Sequence, residues 1–153
     1  MRFLLDANLI NARQQDPAVN ELERLREQGR ADLEFTEMAY MEAATGSDKR
    51  ACKAAEYTWS GATNQFGQED IWREAIAKAV FPGQTLTANQ QNDVENLLIA
   101  KLTNAIFVTR DGASRKQPRG ILGSRTSLEE LGIRVARPEE ALALAHVALR
   151  EEE

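Results

Sequence analysis

Two short runs, Arg2-Phe3-Leu4-Leu5 and Ile106-Phe107-Val108-Thr109-Arg110, are apolar at their centres, and each is followed at once by an aspartate, Asp6 and Asp111. Apolar runs of this length fit strands buried on both faces of a parallel sheet. Open parallel sheets carry their ligand crevice beyond the carboxyl ends of the strands. Two carboxylates at one such edge repel each other, so the arrangement is reasonable only where a cation or a substrate group offsets the repulsion.

Asp32 to Thr36 and Ile133 to Ala136 read as two further strands, and helical patterns separate the runs. A short helix follows the first strand through Leu9 and Ile10. Asp16-Pro17 is a helix start, with the Asp as cap and Pro at the first helical position. Val19, Leu22 and Leu25 give that helix an apolar face, and Gly29 closes it. Thr36 caps a helix carrying Met38, Met41 and Glu42. Helices are expected from Ser47 to about Gly61, from Gln68 to Val80 with a stop at Phe81-Pro82-Gly83, and from near Asn89 to Thr103. Ser127 to Gly132 is a short helix, and Pro138 opens a last one through Leu149. No convincing strand is seen between residues 47 and 92. Strands alternating with helices point to a parallel α/β sandwich.

The 153 residues fit one domain over 1–150, with 151–153 as a frayed acidic tail. No stretch approaches the roughly 18 apolar residues of a membrane span, and the N-terminus reaches Asp6 too soon for a secretory signal. Cys52 is the one cysteine, which excludes an internal disulfide and a thiolate metal cluster. The expected compartment is the cytoplasm.

The segments Phe3-Leu4-Leu5-Asp6-Ala7-Asn8-Leu9-Ile10, the helix with Glu42, Asn92-Asp93, Thr109-Arg110-Asp111 and the stretch from Leu131 to Leu142 together resemble the PIN-domain nucleases, especially the small VapC-like toxin ribonucleases. The agreement runs in the family's order over nearly the whole chain and is weakest in residues 47–90. The resemblance implies a three-layer α/β/α sandwich with a short, mostly parallel sheet of four or five strands. It assigns Asp6, Glu42, Asp93 and Asp111 to the family's acidic quartet, which holds Mg²⁺ or Mn²⁺. It also implies hydrolysis of RNA phosphodiesters, a homodimer whose surface lies in the apolar helices between residues 50 and 81, and an antitoxin partner that blocks the site.

The chemistry is consistent with that assignment. Mg²⁺ and Mn²⁺ prefer carboxylate oxygen and water to nitrogen or sulfur, and a chain with one His and one Cys is poorly equipped for zinc. A two-ion site can activate water and stabilise the leaving oxygen with no nucleophilic side chain. Each acid has a rival role. Asp6 is placed to cap the helix beginning near Asn8, though the end of a buried strand is a demanding place for a cap. Asp-Gly at 111–112 is a turn dipeptide. Glu37 competes with Glu42 on the same helix, and spacing does not separate Asp93 from Glu95 or Asn96. Asp93 in a helix's first turn also favours the helix dipole.

Secondary candidates flank these acids. Asn8 and Thr109 are placed to position a water or a carboxylate, Ser114 faces the site from the following loop, and Arg110, Arg115 and Lys116 are candidate phosphate contacts. The net charge of −5 is unusual for a nucleic-acid binder. With the quartet set aside, however, the remaining acids nearly balance the 19 Lys and Arg. Residues 110–125 hold Arg110, Arg115, Lys116, Arg119 and Arg125 with Asp111 as the one acid, a local field suited to a phosphate backbone. His146, Cys52, Tyr57, Trp59, Phe66 and Trp72 read as packing or surface residues. The alternative function is a catalytically silent PIN-like module that binds RNA or protein. A small-molecule phosphohydrolase with a nucleophilic Asp commonly needs a second Asp two residues on, and here Asp6 is followed by Ala7 and Asn8.

Overall fold

The computed structural model describes residues 1–11, 13–61 and 67–151. Its strands are β1 (Arg2–Leu5), β2 (Asp32–Thr36), β3 (Thr58–Ser60), β4 (Ile106–Val108) and β5 (Arg134–Ala136). They form one five-stranded sheet in the order β3-β2-β1-β4-β5, with every neighbouring pair parallel. The helices are α1 (Pro17–Glu27), α2 (Glu37–Ala44), α3 (Asp48–Ala54), α4 (Glu69–Val80), α5 (Ala88–Leu102), α6 (Gly120–Gly123), α7 (Arg125–Glu130) and α8 (Pro138–Glu151). A 3-10 turn over Ala7–Leu9 follows β1.

Alternation along the central strands builds the three layers. Phe3, Leu5, Ile106 and Val108 point to one face, where they join Val19 and Leu22 of α1, Ala39 and Ala43 of α2, and Ala141 and Ala145 of α8. Leu4 and Phe107 point to the other, against Ile76 of α4, Val94 and Leu97 of α5, Ile121 of α6 and Leu128 of α7. Leu4 lies opposite Phe107 in the β1–β4 register, so the two central strands are covered on both sides, as a parallel sheet requires.

Local signals set the helix starts. The Asp16 carboxylate accepts from the N–H groups of Ala18 and Val19 at 3.1 and 3.3 Å, with Pro17 first in the helix. Thr36 Oγ1 accepts from Ala39 N–H at 3.0 Å and donates to the buried Asn96 of α5. One hydroxyl therefore starts α2 and ties β2 to the helix on the opposite face. Thr87 and Gln90 form a reciprocal capping box at the start of α5.

The stretch between residues 47 and 92 departs from expectation. The helix expected from Ser47 to about Gly61 ends at Ala54, and the chain continues into β3, which pairs with β2 through Glu34–Thr58, Phe35–Trp59 and Thr36–Ser60. An edge strand has one neighbour and needs little apolar alternation, which is why this one left no pattern. Tyr57, just before it, is buried against Phe35 at 4.7 Å between ring centroids and donates its hydroxyl to Glu23. Trp72 packs against the α4–α5 side of the core with the Lys101 ammonium 4.0 Å over its ring. The Trp59 side chain and Phe66 lie outside the described residues. No described helix is long and apolar enough to cross a membrane.

The sheet order places β1 at the centre. The chain moves outward from it through β2 to β3, then crosses back to add β4 and β5 on the other side. The carboxyl ends of β1 and β4 therefore form the topological switch point, where such sheets open a crevice.

Candidate active site

Asp6 leaves β1 at that switch point, its N–H donating to the Val108 carbonyl of β4 at 2.9 Å. The residue is 8% exposed. Thr109 is wholly buried, and its hydroxyl donates to Asp6 Oδ2 at 2.5 Å while accepting from the Asp111 N–H at 3.0 Å. A single threonine thus orients the acids that close two adjacent strands. Asp6 also caps the 3-10 turn, accepting from Asn8 N–H at 3.4 Å, so its capping and cleft-lining roles coexist.

Asp6, Glu42, Asp93 and Asp111 all line one cleft of about 430 Å³, together with Asn8, Gln84, Asn89, Gln90, Gln117 and Arg119. Glu42 reaches it from the last turn of α2, whereas Glu37 is exposed at the first turn and lies outside the lining. Tertiary partners separate the rivals on α5. Glu95 pairs with Arg73 of α4, Asn96 is buried on Thr36, and Asp93 faces the cleft.

Burial and like charge both disfavour ionisation of the acids in this cleft. Burial raises the Asp6 carboxyl above its ordinary range against the lowering pull of Thr109 and Asn8, and the nearby Glu42 and Asp111 raise it further. Asp93 is pushed up to about 7, first by burial and then by the charges of Asp6, Asp111 and Glu42. Like charges gathered at one site disfavour each other's ionisation.

Thr109→Val is expected to strand a buried Asp6 oxygen and to cost about 1–3 kcal/mol of stability. Urea denaturation checks the loss. A Thr109→Ser variant, which keeps the hydroxyl, is expected to recover most of it.

The basic loop has a defined shape. Gly112 (φ +92°) and Gly120 (φ +75°) let its two arms touch. A Cβ on Gly112 would lie 1.9 Å from the Arg119 carbonyl oxygen, and one on Gly120 would lie 2.9 Å from Asp111 Oδ2. Ala113 N–H donates to the Arg119 carbonyl at 3.0 Å. The Asp111 carboxylate accepts from Gln117 Nε2 at 2.7 Å and from Ile121 N–H at 3.1 Å. Asp111 therefore anchors the returning loop as well as lining the cleft.

This folding redistributes the expected phosphate contacts. Arg110 lies outside the cleft lining and is held by Asp16 at 2.8 Å and Glu139 at 2.6 Å, bridging the start of α1 to the first turn of α8. Ser114 accepts from Gln117 N–H, and Arg115 and Lys116 are exposed; none of the three lines the cleft. Arg119 is the cation that does. Sequence reasoning counts it in the basic stretch without selecting it, and the usable signal is its place between two glycines that return the loop to Asp111. Asn89 and Gln90 are also missed, although they stand one helical turn before Asp93, where side chains share a face. Arg110→Ala is expected to cost no more than about 0.5–1 kcal/mol, as for other exposed ion pairs, with the loss read as a lowered thermal midpoint.

The lining suits a hard divalent ion in kind, with carboxylate and amide oxygens and no imidazole or thiol. Among the described residues, no three His, Cys, Asp or Glu side chains are gathered closely enough to hold an ion as they stand. Two of the acids are turned to protein donors, Asp6 to Thr109 and Asn8, and Asp111 to Gln117 and Ile121. An ion would draw the carboxylates together by offsetting their repulsion, and each Asp111 oxygen, with one protein donor, keeps a lone pair for it.

The parallel five-stranded sheet with helices on both faces is a three-layer α/β/α sandwich. Among solved structures, the chain is similar to one in the crystal structure of VapBC2 from Rickettsia felis bound to a DNA fragment from their promoter. The TM-score is 0.52 at 14% identity, over 90% of this chain and 98% of that one. No protein-family model and no curated protein matches the chain.

Proposed function

We propose that this chain is a metal-dependent endoribonuclease of the PIN type, using Mg²⁺ or Mn²⁺ held by Asp6, Glu42, Asp93 and Asp111. The observation that carries the reading is the convergence of these acids on one cleft at the switch point of the sheet, where burial and mutual repulsion already disfavour the charged forms of Asp6 and Asp93. Bound ions supply Lewis-acid stabilisation of phosphoryl charge and lower the pKa of coordinated water. The chain's own residues do the rest. Thr109 fixes Asp6 and the backbone entering Asp111, Asn8 and Gln90 offer polar groups beside the acids, and Arg119 presents a guanidinium to a phosphate at the same cleft.

The VapBC2 likeness supports the reading of a toxin with an antitoxin partner. Ile71 on α4, 67% exposed, lies within the stretch from which a homodimer surface is expected. The test is incubation of the purified protein with single-stranded RNA and Mn²⁺. Internal cuts that cease in EDTA are expected, and intact RNA at every metal concentration would sink the reading. The Gln117 hydrogen bond to Asp111 favours the second reading, a silent RNA- or protein-binding module, and that intact-RNA outcome is the one it predicts.

A further inference from the structure

A second cleft is lined by residues that follow the 3-10 turn in the chain and by the start of α3. It has a volume of about 560 Å³ and is lined by Arg13, Lys49 and Arg50 with Asn11, Gln15 and Ser47. Its lining contains cations and neutral polar groups and no acid, the reverse of the first cleft. Among the described residues, none of the three cations has a carboxylate within 4 Å. An uncompensated cluster of this kind favours an anionic ligand.

Two of its lining residues are held by hydrogen bonds. Asn11 is buried, accepts from Asp16 N–H at 3.2 Å and donates to Asn20 at 2.6 Å, which locks the loop ahead of α1. Arg50 donates its Nε to the Ala43 carbonyl at 3.0 Å, its one side-chain hydrogen bond among the described residues, so its terminal N–H groups remain available to a ligand. Ala43 directly follows Glu42, and the guanidinium is therefore held against the helix that carries an acid of the first cleft. The neighbouring acid Asp16 is spent on the start of α1 and on Arg110, and Asp48 does not line the cleft.

The linings of the two clefts come close along the chain: Asn8 lines the first and Ile10 the second, with at most about 7 Å of backbone between their Cα atoms. The acidic cleft offers a polyanion little grip of its own, with Arg119 as its one lining cation, so strand affinity has to come from elsewhere on the surface.

We infer that the Arg13–Lys49–Arg50 cleft binds backbone phosphates of the single-stranded RNA whose scissile bond lies in the acidic cleft. The inference rests on the ribonuclease reading, and its test separates the two. Fluorescence anisotropy of a labelled single-stranded RNA is measured in EDTA over a range of KCl concentrations, for the wild type and for R13Q/K49Q. Both substituted side chains are exposed, and K49E alone serves as a second variant. The double substitution is expected to weaken binding about tenfold at low salt and to reduce the slope of log K against log salt by about 1.4, two single-strand phosphate contacts at roughly 0.7 each. K49E is expected to weaken binding in the same direction. Unchanged affinity and slope in both variants, or no RNA binding by the wild type, overturns the inference. Cleavage by a wild type whose binding ignores these substitutions would remove the second cleft and leave the ribonuclease reading standing. Salt-sensitive binding lost in R13Q/K49Q, with no cleavage in Mn²⁺, would do the opposite.

Discussion

Asp6→Asn is expected to lower metal-dependent RNA cleavage by at least about 10³-fold, the scale on which charge stabilisation and metal activation act, while the fold persists. The substituted amide still offers an oxygen to the Thr109 hydroxyl, so the contact that joins β1 to the end of β4 survives. The lost charge is one that burial and the neighbouring acids already disfavour, so urea stability should hold or rise. Loss of activity together with loss of structure would leave the residue structural. Loss of activity with an intact thermal transition is the outcome the site assignment requires. Gel assays of RNA cleavage and circular dichroism on the same preparation separate the two.

Asp93→Asn is expected to stabilise the metal-free protein at pH 8 and to erase its stabilisation by metal. In the fold the Asp93 carboxyl titrates at about 7, against an ordinary aspartate value of 3.8. Between those values the native state holds a proton that the unfolded chain has released, so its stability rises as pH falls from 7 toward 4. Above pH 7 the charged side chain imposes its full penalty. Each tenfold weakening of the acid corresponds to about 1.4 kcal/mol, and screening in a half-open cleft reduces the sum to about 1–2 kcal/mol of expected gain for Asp93→Asn at pH 8. The gain should shrink below pH 7 and vanish near pH 4. Metal reverses the order, because an ion at about a hundred times its Kd stabilises the wild type by about 2.7 kcal/mol and finds one fewer ligand in the variant. Urea melts at pH 5 and pH 8, with and without Mn²⁺, measure both effects. A variant less stable than wild type at pH 8 without metal would contradict the assignment.

These two residues also show how far the sequence reaches. Asp6 is legible because a buried strand and the acid ending it are adjacent in the chain. The starts of α1 and α2 are legible for the same reason, since Asp16-Pro17 and Thr36 act on N–H groups two or three residues away. Asp93 is harder. Asp93, Glu95 and Asn96 share the early turns of α5, and what separates them is Arg73 on another helix and Thr36 on β2, partners that spacing within α5 does not reveal.

The basic loop marks the limit of local reading. Its charge points to phosphate contacts at Arg110, Arg115 and Lys116, but charge does not say which way a loop folds. Gly112 admits the Arg119 carbonyl where any Cβ would collide, and this close approach is what brings Gln117 and Arg119 to the cleft. Strand β3 escapes for a related reason. Its three residues owe their strand form to pairing with β2, a contact absent from their own pattern.

The central claim is that the acids at the switch point form a metal site, and a calorimetric titration with Mn²⁺ tests it most directly. Wild type and Asp6→Asn are titrated in the same buffer at the same salt concentration. Saturable binding by the wild type and its loss in the variant are the predicted result. Equal binding by the two proteins, or none by the wild type even with a short non-cleavable RNA present, would contradict it.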